Sequence, residues 1–364
     1  MMLRCRIVLP CVLLLSMMLP VQCFADDMFR QMQDRLESRC SSFKNVQIPQ
    51  ADIGVAPKDC HSEDLYYGSD GKAGSANYVA ARQCAYRERS AGELLRSDGK
   101  LDVFAGSGIL MMIYANGQGV KRNIALAKRF ACEYDSSLME LEYRLQHLDA
   151  IASGKDARPI DVCDDITSGL MEGFCAGRDN DFAQRAREKQ WSALQSTWNA
   201  TQRTALANLR KTAHVYFDNV ARNEIDLSGT ARGMFSSNAY EVLDKNLFTE
   251  TKKLERSKHP PAKGQDFAQA DKALNMKYRN IMAALQAAAV KAKSQGFNDF
   301  GTIKADGVRS TQRSWLSYRE AWVNLGAARY PNVPADAWRA WLTRERTQTL
   351  NCITSADKTC PGYN

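Results

Sequence analysis

Residues 191–220 read WSALQSTWNATQRTALANLRKTAHVYFDNV. The apolar positions Trp191, Leu194, Trp198, Ala205, Leu209, Ala213, Tyr216 and Val220 follow one another at steps of three, four or seven residues. At about 3.6 residues per turn such steps bring all of these side chains to one side of a helix. The spacing predicts one long amphipathic helix.

Two more runs repeat the pattern: Leu274, Tyr278, Ile281 or Met282, and Leu285; then Trp315, Tyr318 or Arg319, Trp322, and Leu325. Pro260-Pro261 and Pro331-x-x-Pro334 punctuate them. Long helices with short connections imply an antiparallel bundle, with the aromatic stripe as its core. The bundle is expected over 185–364, after the Gly- and Asp-rich segment around Gly177-Arg178-Asp179-Asn180.

Polar residues recur on the same helices. Asp271, Asn275 and Tyr278 lie three or four apart and share one face, and Arg319 follows Trp315 by four on another helix. A carboxylate facing a guanidinium between helices, with Asn and Tyr completing the hydrogen bonds, fixes helix register more than it adds stability. The functional alternative is that this cluster recognises a partner.

Upstream lies Tyr114-Ala115-Asn116-Gly117-Gln118-Gly119-Val120, continuing through Asn123 to Ala127, Phe130 and Ala131. Before it runs an apolar, helix-like stretch from Leu101 to Tyr114, so the pattern is helix, glycine turn, helix. An echo precedes it: Asn77-Tyr78 with Ala81 and Ala85 matches Asn123-Ile124 with Ala127 and Ala131. Self-similarity of this kind signals stacked helical hairpins. The residues resemble Sel-one-like repeats, relatives of the tetratricopeptide family, over roughly residues 62–140. That resemblance implies a Cys84–Cys132 bridge between successive hairpins. The repeat region is set at 63–184. The expected fold is therefore all-α: a short helical-repeat region followed by an antiparallel helical bundle.

The start of the chain bears on compartment. Arg4 and Arg6 precede an apolar run from Ile7 to Leu19, and Cys23-Phe24-Ala25 precedes Asp26-Asp27. This is the order of a secretory signal peptide, cleaved after Ala25. The apolar run is shorter than the ~20 residues that span a bilayer, and no later run is long enough. A periplasmic or secreted protein with no transmembrane segment is expected. Residues 26–62 hold Phe29, Met32, Leu36 and Cys40 at helical spacing, a helix and loop that Cys40 and Cys60 are placed to staple.

Eight cysteines remain beyond residue 25: Cys40, Cys60, Cys84, Cys132, Cys163, Cys175, Cys352 and Cys360. An even number in an exported chain argues for disulfides. Cys163 and Cys175 flank a short segment that their bridge closes into a loop. No pair is spaced C-x-x-C, and His61, His147, His214 and His259 are scattered, which argues against a zinc site or redox motif. The acidic group Asp161, Asp164 and Asp165 is read as structural. The formal charge of +8 falls to +6 without Arg4 and Arg6, a mild excess with no dense basic run, so no nucleic-acid partner is expected.

Three ordered motifs stand in the last third. They are Ala270-Asp271-x-x-Leu274-Asn275-x-x-Tyr278, Gln312-x-x-Trp315-x-x-Tyr318-Arg319, and Leu342-Thr343-x-x-Arg346-x-x-x-Leu350. Together they resemble the lysozyme-inhibitor LprI-like domain over about residues 265–352. The stretch Glu224-x-Asp226-x-Ser228-Gly229-Thr230-x-Arg232 is similar to longer relatives. Many members carry a cysteine after the tyrosine–arginine motif where this chain has Glu320-Ala321-Trp322. The family's disulfide is therefore absent or moved to Cys352–Cys360. The resemblance implies a protein partner, a lysozyme or other muramidase. No G-x-S-x-G elbow, phosphate loop or H-E-x-x-H run occurs, so the expectation is a binding protein without cofactor or metal rather than an enzyme. An envelope scaffold or adaptor with no inhibitory activity is the alternative.

Overall fold

The computed structural model describes residues 19–68, 73–92, 103–256 and 266–354. Among them every regular element is a helix, and none is long and apolar enough to cross a membrane. Of the expected signal peptide, residues 1–18 lie outside the described residues. Residues 19–25 open helix α1 (Leu19–Ser41), which runs through the expected cleavage position. Cys360, His259 and Pro260-Pro261 also lie outside them.

The chain divides into two units. The first comprises Met1–Ser62, Tyr78–Leu94 and Phe104–Asp165; the second comprises Glu63–Asn77, Leu95–Val103 and Ile166–Asn364. The first contains α1, α2 (Gln50–Ile53), α4 (Tyr78–Ala91), α5 (Ser107–Asn116), α6 (Ile124–Glu133) and α7 (Leu138–Ala152). Helix α5 is buried on every side from Gly108 to Ala115, as an apolar helix without a polar face must be. It starts at Ser107, after Gly106 takes a positive φ of 61°; Leu101, where the expected helical stretch begins, lies outside the described residues. Gly117, at φ 70°, ends α5 with its N–H on the Ile113 carbonyl. Asn123 then caps α6 by accepting from the Leu126 N–H at 3.1 Å. The motif at 114–123 is thus a stop and a start joined by two glycines.

The cysteine pairing differs from expectation. Cys40 bonds Cys132 and Cys60 bonds Cys84, with Cα–Cα distances of 5.6 and 6.0 Å. Neither a Cys40–Cys60 staple nor a Cys84–Cys132 bridge forms. The reason is packing: α1 lies along α6 and α7, which brings its C-terminal end to Cys132. The loop at 57–60 is held on α4 by Arg87, whose guanidinium donates to the Pro57 and Cys60 carbonyls, and so Cys60 meets Cys84. Cys163, Cys175 and Cys352 are also disulfide-bonded.

The second unit holds α3 (Ser62–Tyr67, from its second residue), α8 (Gly169–Leu194), α9 (Ala200–Asn223), α10 (Arg232–Glu255), α11 (Phe267–Gln295), α12 (Ala305–Arg329) and α13 (Ala335–Asn351). The expected boundary at 184/185, and the glycine segment before it, fall inside α8. Gly177 weakens a helix, yet its polar neighbours have tertiary partners. Arg178 stacks 4.6 Å over the Tyr67 ring and donates to its hydroxyl, and Asn180 donates to the Ser237 hydroxyl at 2.8 Å.

The single helix expected over 191–220 is two. Helix α8 ends at Leu194, and Asn199 starts α9. Asn199 accepts from the Gln202 N–H at 3.0 Å while the Gln202 side chain accepts from the Asn199 N–H at 3.1 Å. This reciprocal cap satisfies two donors that a continuous helix would have paired itself.

Helix α9 runs antiparallel to α12: Asn219 meets Thr311 near one end and Gln202 meets Ala328 near the other. Helices α8 and α10 instead run parallel, since Gly173 meets Gly233, Asn180 meets Ser237 and Arg187 meets Asp244. A Cβ added at Gly173 would fall 3.3 Å from the Gly233 Cα, and one added at Gly233 3.4 Å from the Gly173 Cα, so the close approach of the two helices here favours glycine. The core joins Trp191, Trp198, Trp315, Trp322 and Trp338 with aliphatic side chains from α8 to α13.

Candidate functional site

A cavity of about 280 Å³ opens in the second unit, walled by α9, α10, α12 and α13. Helix α12 turns Trp315, Tyr318 and Trp322 towards it, three, four and seven residues apart and therefore on one face. Helix α13 contributes Trp341, Leu342, Glu345 and Arg346; α9 contributes Tyr216 and Phe217, and α10 contributes Leu243, Leu247 and Glu250. Trp322 stacks on Trp338 with centroids 6.0 Å apart, and Trp341 meets Trp322 edge-on at 5.4 Å. Tyr318 stacks on Tyr216 at 5.2 Å.

Arg346 forms the floor. Its guanidinium is fully buried and donates to both oxygens of Glu224, at 2.7 and 2.6 Å. Nε donates to the Gln312 side chain at 3.0 Å, and the cation lies 5.6 Å from the Tyr216 ring centre. Burial alone would lower the Arg346 pKa, but the Glu224 carboxylate outweighs it and holds the guanidinium charged. Burial pushes the Tyr216 and Tyr318 hydroxyls up, so both stay protonated. The floor is a neutral, rigid ion pair.

The rim differs. Glu345 is exposed and Glu250 is partly so. Glu250 accepts from Lys253 at 2.6 Å. The Glu345 carboxyl is pushed above its ordinary value, first by partial burial and then by the Glu250 charge. An aromatic chamber with two carboxylates at its mouth suits an apolar stem that ends in a cation.

The sequence-derived polar set separates into two groups. Trp315 and Arg346 line the cavity, and Gln312 accepts from Arg346 behind it. Asp271 accepts from Asn275 at 2.7 Å on the exposed face of α11, and Tyr278 packs half-buried against the core. The expected Asp271–Arg319 pair is not formed. Arg319 donates to Glu320 at 3.0 Å and lies 5.1 Å from the Trp315 ring and 5.3 Å from that of Phe267. The interhelical carboxylate–guanidinium pair exists, with Glu224 and Arg346 as its members.

Glu224 belongs to the stretch 224–232. Two residues on, the Asp226 carboxylate accepts from Ser228 and from the Thr302 N–H at 3.0 Å, tying the α9–α10 connection to the loop before α12. Tyr216, Trp341, Glu250 and Glu345 were missed. Tyr216 reads as a plain core aromatic of the 191–220 stripe, Trp341 lies outside the motifs, and only the fold brings the two glutamates together.

In the first unit, the His147 ring nitrogen Nδ1 lies 3.2 Å from Asp165, with Nε2 3.7 Å from Asp156. Asp164 accepts from the Asp161 N–H and Asp161 from the Cys163 N–H, at 2.7 and 2.9 Å. These carboxylates serve local turns, and among the described residues no group of three His, Cys, Asp or Glu is placed to hold a metal.

Residues 261–355 match a family model described as lysozyme inhibitor LprI. No curated protein and no solved structure matches the chain. The match takes in α11, α12 and α13, so it supplies Trp315, Tyr318, Trp341, Glu345 and Arg346. Tyr216, Glu224 and Glu250 come from α9, the turn after it and α10, outside the matched residues.

Proposed function

We propose that this chain is an exported protein-binding protein that inhibits a lysozyme or related muramidase through the surface of its second unit. The observation that carries the reading is the family match at 261–355. Oxidised cysteines are consistent with export. Lysozymes are often basic, so an inhibitor gains from acidic groups beside a packed aromatic surface. Glu250 and Glu345 at the cavity mouth meet that requirement despite the chain's net positive charge.

The test is lysis of peptidoglycan by animal, phage and bacterial muramidases, with and without the purified oxidised protein, at low and moderate salt. Dose-dependent inhibition that survives moderate salt is the expected result. No inhibition at micromolar protein across the panel would remove the inhibitor reading. The envelope scaffold would then lead, a reading supported by the separate first unit with its own core and disulfides.

A further inference from the structure

We infer that the cavity of the second unit receives an arginine side chain from a protein partner, its stem against the aromatic wall and its guanidinium between Glu250 and Glu345. The size fits one long side chain. About 280 Å³ falls at the lower edge of ligand pockets, roughly 300–1,000 Å³, and is small for a cofactor. The wall fits too. Tyr318 and Trp341 are only half-buried, whereas Trp315 and Trp322 behind them are sealed. Aromatic faces attract a planar, weakly hydrated guanidinium more than a compact ammonium.

Charge selects the sign of the guest. The floor charges cancel, because Arg346 and Glu224 are bonded to each other. At the rim Lys253 leans on Glu250, an exposed pair three residues apart and weakly held. Glu345 makes no hydrogen bond or ion pair among the described residues, so its charge is the one left for an incoming cation. Burial first and then the Glu250 charge push its carboxyl up, and the opposing pull of Lys253 is too weak to offset them. An arginine arriving there relieves that repulsion and gains a forked partner.

The inference names the chemistry of the contact and holds whichever protein presents the arginine. The purified oxidised protein is titrated with Nα-acetylarginine methylamide while its tryptophan indole N–H signals are followed by NMR, the Trp341 signal being assigned with Trp341→Phe. A saturable shift of the Trp341 signal is expected. The citrulline analogue, equal in shape but neutral, should bind at least about threefold more weakly, and Glu345→Gln should weaken the arginine compound by a similar factor. Glu345 is exposed, so that variant keeps the fold, which an unchanged spectrum elsewhere verifies.

Equal responses to arginine and citrulline, or a Trp341 signal that does not move up to the solubility limit, would overturn the inference. The muramidase panel separates this from the inhibitor reading. Arginine binding without inhibition keeps the cavity assignment and removes the inhibitor. Inhibition together with a Trp341 signal that does not respond to the arginine compound keeps the inhibitor and removes the arginine site.

Discussion

Replacing Glu224 with Gln tests whether the Arg346 ion pair holds the second unit together. Side-chain exposure is 0% for Arg346 and 4% for Glu224, so water cannot take over for a lost partner. Glutamine keeps the shape and one acceptor oxygen. It loses the countercharge and turns an amide N–H₂ towards a guanidinium that only donates. Removing one member of a buried pair costs about 3–5 kcal/mol, against a total domain stability of about 5–15 kcal/mol. For a unit of this size that is a fall in Tm of roughly 6–20 °C. The assay reads this unit alone, because all six tryptophans lie between Trp191 and Trp341. Urea unfolding followed by tryptophan fluorescence therefore needs no added label.

Asp218→Asn, which breaks an exposed pair with Arg222, is the control and should change stability by less than about 0.5 kcal/mol. The double variant Glu224→Leu with Arg346→Met should recover much of the loss, since burying no charge removes the desolvation cost. A Glu224→Gln protein within about 1 kcal/mol of the parent would refute the reasoning.

Three further outcomes are expected. Removing the Cys40–Cys132 bridge, which closes 92 residues, should cost about 4.6 kcal/mol, and removing Cys60–Cys84, which closes 24, about 3.4 kcal/mol. Urea unfolding by circular dichroism measures both, and a non-reduced peptide joining Cys84 to Cys132 would contradict the pairing. Gly326→Ala should destabilise by roughly 1–3 kcal/mol, because its Cβ falls 2.5 Å from the buried Trp338 ring. Gly177→Ala, with open space at its Cβ, should instead gain up to about 1 kcal/mol from helix propensity; Tm shifts of the same sign for both would refute this. Glu255→Gln should destabilise at pH 7 and cease to matter in acid. Burial would raise the Glu255 carboxyl, but Arg329 and Tyr330 outweigh it and hold it below the usual range. A depressed carboxyl stabilises above its unfolded value of about 4.3 and loses that contribution as pH falls through the folded value. Stability of parent and variant measured from pH 7 to 3 should therefore converge, and curves that stay parallel would exclude the mechanism.

The second unit shows why some elements are readable and others are not. Helices α11 and α12 announce themselves through apolar spacing, which reports only on neighbours one turn away. The break at 195–199 is also written locally, in Asn199-x-x-Gln202, but the periodicity runs on across it because Trp198 keeps the step. Helix α10 carries Ala239, Leu243, Leu247 and Leu254 at core positions, a spacing as informative as that of α11. At 177–180 local chemistry pointed to a loop, and contacts with Tyr67 and Ser237 overrode it.

By itself, the sequence determined that the chain is helical and where the turn at 114–123 stops one helix and starts the next, while the family resemblance set Gln312, Trp315 and Arg346 among its ordered motifs. The first two follow from the 3.6-residue repeat and from glycine's access to positive φ. Only the tertiary structure decided that Cys40 meets Cys132, that Glu224 rather than Asp271 supplies the interhelical carboxylate, and that Glu250 and Glu345 share one rim. Arg346 lies 122 residues from the carboxylate that neutralises it. Across such a distance the partner is chosen by which helices pack together, and that choice depends on burial summed over the whole core, which no local window of sequence contains.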